Sequence, residues 1–210
     1  ADSSGFANHG TLSAGGPPPD WTQGKIGGTH HFTANTNGYG NSVVVPATTF
    51  MDIGVGGAGF SVAFWVKYES GSDLFAKKIP TDANHVFELG ATRGKNQVTY
   101  AIATQSPKWE TGASKGGLAT GAWTHVAFVN AGQDVKIYLN GRLDTRDTLK
   151  TPALRNAGGV TFGGAMNGYG GTLNGCMDDV RLYNRELLER EVAEFAGTLG
   201  AATMTASATR

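Results

Sequence analysis

The chain has 210 residues, 40% apolar and 16% charged, enough for one large domain with a substantial core but not for two full ones. Its 17 Lys and Arg balance 17 Asp and Glu with no basic block, which argues against a nucleic-acid partner. No apolar run approaches the roughly 18 residues that a membrane span requires, so no membrane insertion is expected. The single cysteine, Cys176, excludes an intrachain disulfide and reads as a small buried hydrophobe, and 32 glycines without a collagen-like period predict many turns. No signal peptide opens the sequence, which reads as a module excised from a longer chain.

In chain order, "DSSGFANHG" is a loop of Asp, Asn and Gly that includes His9, His30-His31 begins a short strand, and "NSVVVP" is a strand bounded by turn residues. "FSVAFWVKY" alternates Phe60, Val62, Phe64, Val66 and Tyr68 against Ala63 and Trp65, the pattern of a strand buried on both faces. "DLFAKK" and "HVFELGA" follow, the second opening on His85; then "NQVTYAIAT" sets Val98, Tyr100 and Ile102 on one side. "WTHVAFVN" sets Val126 and Phe128 opposite Ala127 and Val129 and contains His125, read as a structural strand residue. "DVKIYLNGRLDT" carries Asn140-Gly141, a pair suited to a type I′ hairpin turn, and "VTFGG" is a further strand.

"GCMDDVRLYN" is the last strand. Period two gives Asp178 the parity of Val180 and Leu182, and Asp179 that of Arg181 and Tyr183, so Asp178 is expected inside and Asp179 solvated. Leu188, Val192 and Phe195 then recur at helical spacing before Gly197. Glu186, Glu189, Glu191 and Glu194 read as the helix's solvated, charge-paired face. About ten strands and one short C-terminal helix define an all-β, two-sheet antiparallel β-sandwich over residues 1–197, with 198–210 a flexible tail or linker.

The order of "DSSGFANHGTL", "FSVAFWVKY", "WTHVAFV", "VKIYLNG" and "LNGCMDDVRLYNREL" before a terminal helix resembles the concanavalin A-like lectin/glucanase superfamily, most closely its laminin G-like modules of bacterial type. That resemblance implies a jelly roll with one concave sheet, a structural calcium at the sandwich edge in many members, and attachment to secreted glycan-active enzymes or adhesins. A fold of this kind hosts many functions, so the ligand has to come from the site.

Glycosidase chemistry needs two flanking carboxylates. The E-x-D-x-x-E strand of the superfamily's glucanases is missing, as are a lyase set, a nucleophile elbow, a zinc H-E-x-x-H and a P-loop, so no catalytic residue is assigned. Calcium suits loops rich in Asp, Asn and Gly, and Asp2 and Asn8 offer such oxygens, with Phe6 in place of the usual small or polar residue. An inward Asp178 requires an Arg partner, a set of backbone N–H donors or a metal. The chemistry leaves these three open; the resemblance favours Ca²⁺ held by Asp2, Asn8 and Asp178.

A glycan site needs aromatic faces and amide, Arg or carboxylate groups. Tyr39 and Tyr169, each in an "NGYG" turn, and Trp109 in "SPKWET" supply the first, Arg93 and Asn167 the second. Trp21, Trp65 and Trp123 are expected in core or strand-edge packing. The expectation is a non-catalytic, lectin-like module of a larger extracellular protein that binds a glycan or polysaccharide. A protein-interaction or adhesion module, or a divergent glycoside hydrolase or lyase, are the alternatives.

Overall fold

The computed structural model of the chain describes residues 2–13, 20–33, 40–79, 82–164 and 171–198. Their strands form two sheets of seven, packed face to face as an all-β sandwich. The first sheet runs β1 (Thr11–Leu12), β4 (Val43–Val45), β13 (Gly159–Phe162), β6 (Asp73–Ile79), β7 (Asp82–Ala91), β8 (Gln97–Ala103) and β9 (Trp109–Gly117). The second runs β12 (Arg142–Thr148), β11 (Asp134–Leu139), β10 (Trp123–Ala131), β5 (Phe60–Ser70), β14 (Asn174–Tyr183), β3 (Gly28–Phe32) and β2 (Asp20–Gln23). Pairing between neighbouring strands is antiparallel throughout.

Alternation decides which side chains meet between the sheets. Val62, Phe64 and Val66 of β5, with Val126 and Phe128 of β10, face Phe75, Phe87, Leu89, Tyr100 and Ile102 of the first sheet. Phe128 is the hub: its ring lies 4.8 Å from Phe87, 5.5 Å from Tyr100 and 5.8 Å from Phe60. Asn140 and Gly141 join β11 to β12 with φ of 50° and 77°, the two positive values a type I′ turn requires. Lys77 is also fully buried on the inner side, paired in register with the core residues Val160 and Phe87, and its ammonium donates to the Gly158 carbonyl.

The other face of β5 and β10 is apolar at Ala63, Ala127 and Val129, and there, with Tyr138, it receives α1 (Glu189–Phe195). Val192 anchors the helix, as the spacing predicts. Leu188, by contrast, caps its start and is exposed, while the neighbouring Leu187 is buried in its place. Glu191 closes the first turn by accepting the Leu188 N–H and pairing with Arg185, and Gly197 follows the last turn with φ of 68°. Glu194 pairs with Arg190 on the helix as expected, whereas Glu186 lies before the helix and pairs with Lys136 of β11. Among the described residues no helix is long and apolar enough to cross a membrane.

The last strand departs from period two. Asp178 pairs with Trp65 and Arg181 with Ala63, so β14 takes three steps where β5 takes two, and the extra residue is accommodated at Asp179, with φ of 50°. Met177, Val180 and Leu182 all pack on the core, and Asp178 falls on the opposite face with Trp65. The expected inward Asp178 and solvated Asp179 are therefore both corrected, because one inserted residue reverses the parity between them.

Candidate functional site

The outward face of the first sheet forms a trough. Since Phe75, Phe87, Leu89, Tyr100 and Ile102 point into the core, their strand neighbours point away from it. Register then aligns Ala76, Glu88, Ala101 and Thr111 in one row and Asp73, Gly90, Thr99 and Ala113 in the next. Small side chains keep the floor low, leaving a cavity of about 530 Å³. Trp109, opposite Ala103, shares the parity of Thr111 and stands 39% exposed at one end.

Carboxylates stand in both rows. Glu88 is ion-paired with Lys78. Burial, and then the charge of Glu88, push the Asp73 carboxyl above the usual range. Hydroxyls, carboxylates, one ammonium and an indole along a shallow channel can bind a chain of sugar rings through hydrogen bonds and stacking.

Of the sequence-derived ligand residues, Trp109 stands just beyond the lined cavity, two residues before Thr111 on the same face of β9. Arg93 is exposed in the β7–β8 turn, at the opposite end of β8 from Trp109. At roughly 3.3 Å per residue, the length of β8 separates them by about 20 Å, so one sugar ring does not touch both. Tyr39, Asn167 and Tyr169 lie outside the described residues. Gly171, just after the last two, accepts the Ser72 and Asp73 N–H groups and fastens that chain end to the Asp73 corner of the trough.

The N-terminal loop does meet the last strand. Asp2, Asn8 and Asp178 line one cavity of about 470 Å³ at the edge where the sheets part. The Asp2 carboxylate accepts the Ser4 hydroxyl and the Ser4 and Asn8 N–H groups, which hold it below the usual carboxylate range, and Asn8 Oδ1 accepts the Thr48 hydroxyl. Asp178 Oδ2 accepts the Ile26 N–H at 2.7 Å and Oδ1 the Asp179 N–H. A Cβ on Gly24 would sit 2.5 Å from Asp178 Oδ2, so only glycine lets the β2–β3 turn approach this closely.

Backbone N–H donors thus provide one of the three environments open to Asp178, while Asp179 is paired with Arg181 at 2.8 Å. Among the described residues no three His, Cys, Asp or Glu side chains converge as a metal cluster. The donor set still fits calcium in kind, since carboxylate, amide and main-chain oxygens surround the cavity and a carboxylate has about four lone-pair sites.

Three aromatic residues that the sequence reading left out of any site are exposed around this edge. Phe6 and Phe50 stack at 4.6 Å, 54% and 59% exposed. Trp21, expected in core or strand-edge packing, lies on the edge strand β2 with its ring over Gly28 and edge-on to His30 at 4.9 Å, and is 70% exposed. The polar "DWTQ" run and the odd Phe in "DSSGFANHG" were the available signals.

Two seven-stranded antiparallel sheets packed face to face, with an open polar trough on one of them, make a jelly-roll type of β-sandwich. The family model of laminin G type described as the concanavalin A-like lectin/glucanases superfamily matches residues 37–193, and the chain belongs to that superfamily. Domain 4 of AbnA, a GH43 extracellular arabinanase from Geobacillus stearothermophilus solved with arabinotriose, is similar at 23% identity and TM-score 0.70, over 89% of this chain and 87% of that one. The botulinum neurotoxin serotype G binding domain matches at 16% identity and TM-score 0.70, over 95% of this chain and 48% of that one. The binding domain of a Paraclostridial mosquitocidal protein matches at 15% identity and TM-score 0.68, over 92% and 48%. The chain therefore spans most of the arabinanase domain and about half of each of these two toxin binding domains.

Proposed function

We propose that the chain is a non-catalytic carbohydrate-binding module of a larger extracellular protein, which lays an extended glycan along the trough of the first sheet. The observation that carries this reading is the alignment of Ala, Gly and Thr rows between the Trp109 indole and the Asp73 and Glu88 carboxylates. Support comes from the arabinanase domain, whose structure holds arabinotriose, and from the toxin binding domains. On a glycan array, wild type is expected to retain a polysaccharide without turnover. Trp109→Ala is expected to weaken it about tenfold or more, equivalent to about 1.4 kcal/mol of lost stacking and burial. Full affinity in Trp109→Ala would reject the trough.

Two carboxylates in one channel, with the Asp73 carboxyl held above its usual range, favour a hydrolase as the second reading. Release of reducing ends by wild type, abolished in Asp73→Asn, would replace the binding module with an enzyme. The protein-ligand alternative draws on a botulinum neurotoxin binding domain solved with rat synaptotagmin II. Silence on every glycan together with specific capture of one polypeptide would favour it.

The same reading includes one structural Ca²⁺ between the Asp2–Asn8 loop and the strand at Asp178. Bound there, the ion would tie the loop to the sandwich edge and add stability by mass action. A chelator is expected to lower the thermal midpoint by several degrees, and Asp178→Asn to remove that sensitivity. A metal-free wild type whose midpoint is unmoved by added calcium contradicts the proposal.

A further inference from the structure

A cavity of about 730 Å³, within the range of small-ligand sites, opens where the N-terminal loop crosses the gap between the sheets. Met51, Ile53, Phe162, Val180 and Leu182 give it an apolar interior. At its mouth Phe6 and Phe50 stack with an interplanar angle of 24°, and together they present an aromatic surface to solvent. Both rings keep about half of their surface in water beside the cavity, an exposed apolar patch of the kind that ligand-binding grooves carry.

The polar groups at the mouth are free to bind. Asn8 Oδ1 is committed to Thr48, but its Nδ2, the Ser3 hydroxyl and the Asn184 amide have no hydrogen-bond partner among the described residues, and all three residues line the cavity. An aromatic face beside unused hydroxyl and amide groups suits a sugar ring. A sugar bearing hydroxyls alone would leave the methyl-lined interior unfilled. We propose that this edge is a second saccharide site, selective for an N-acetylated sugar. The ring stacks on Phe6 and Phe50, the acetamido methyl enters among Met51, Val180 and Leu182, and the hydroxyls and amide bond Ser3, Asn8 and Asn184.

This site stands apart from the trough, and its test separates the two. Wild type is titrated with N,N′,N″-triacetylchitotriose and with xylotriose, followed by calorimetry and by amide shift mapping. Chitotriose is expected to bind and to shift residues 3–8, 50–53 and 180–184. The Phe6→Ser/Phe50→Ser double variant is expected to weaken it at least about tenfold at an unchanged thermal midpoint. Trp109→Ala is expected to leave it intact. Asn184→Ala supplies an independent loss of affinity if the double variant folds poorly. No chitotriose binding by folded wild type, binding that survives both sets of substitutions, or xylotriose binding of equal strength that shifts the same residues 3–8, 50–53 and 180–184, would each overturn the proposal.

Discussion

Phe128→Ala is expected to destabilise the domain by about 3 to 5 kcal/mol, the range for removing a buried aromatic ring from a core. Phe128 is fully buried and contacts rings from both sheets, so nothing nearby can close the space left behind without moving a strand. A domain has about 5 to 15 kcal/mol of stability in total, so this single change removes a large share of it. Urea unfolding at pH 7 should show a lower midpoint at an unchanged m-value. Phe50→Ala, at an exposed position, should cost under about 1 kcal/mol. A loss below about 1.5 kcal/mol in Phe128→Ala would mean that the ring is not the hub of the core. The trough depends on the same packing, because Phe87 and Tyr100, which touch Phe128, alternate with Glu88 and Thr99 on its floor.

The second large effect is a pH profile with two rising limbs. Burial lowers the His125 imidazole to about 4 from an ordinary 6.5, and its Nδ1 has no partner. The unfolded chain therefore protonates first, and the stability held above pH 6.5 is lost as pH falls toward 4, by about 3 kcal/mol at 1.36 kcal/mol per unit. Burial lowers the Lys77 ammonium to about 8 from 10.5. Here too the depressed value means that stability is missing below pH 8 and is regained as pH rises toward 10.5. Tyr138, pushed up to about 12, and Tyr100, pushed up further, both by burial, act in the opposite sense: the unfolded chain ionises first and stability falls above about pH 10.

The thermal midpoint should therefore rise from pH 4 to 6.5, level off, rise again beyond pH 8 and turn down above about 10. Asp73, whose carboxyl is raised, opposes the acid limb, so the histidine's share is isolated as the difference between wild type and His125→Phe. Lys77→Met should remove the upper limb. A midpoint that falls steadily from pH 7 to 9 in wild type would show that Lys77 is not buried as charged.

Strand existence was legible wherever one side of a strand faces the core. The runs around Phe60, Val98, Val126 and Ile137 alternate because each buries every second side chain, and all four are strands in the sandwich. The Asn140-Gly141 turn was legible because its two positive φ values suit few other pairs. β9, "WETGASKGG", has no such pattern: one face floors the trough with small residues, and Asp144 of β12 holds the Lys115 and Gly116 N–H groups. Its pairing with β8 supplies the order that its own composition lacks.

The site divides in the same way. Trp109 could be picked out as an aromatic in a polar stretch, but its separation of about 20 Å from Arg93 follows from strand register, which depends on residues far away in the chain. For Trp21 the sequence left core and strand-edge packing open; that it takes the edge and stays largely exposed follows from β2 being the outermost strand, a fact of sheet order alone.

By itself the sequence determined an all-β chain with one terminal helix, its turns, its core faces and its superfamily, because these depend on local periodicity and on the order of segments. Only the tertiary structure decided which way Asp178 and Asp179 face, which aromatics reach solvent and where small side chains line up into a trough. Period-two parity carries a prediction along a strand only until an inserted residue reverses it, and at Asp179 that residue is accommodated by pairing with β5, more than a hundred positions earlier in the chain.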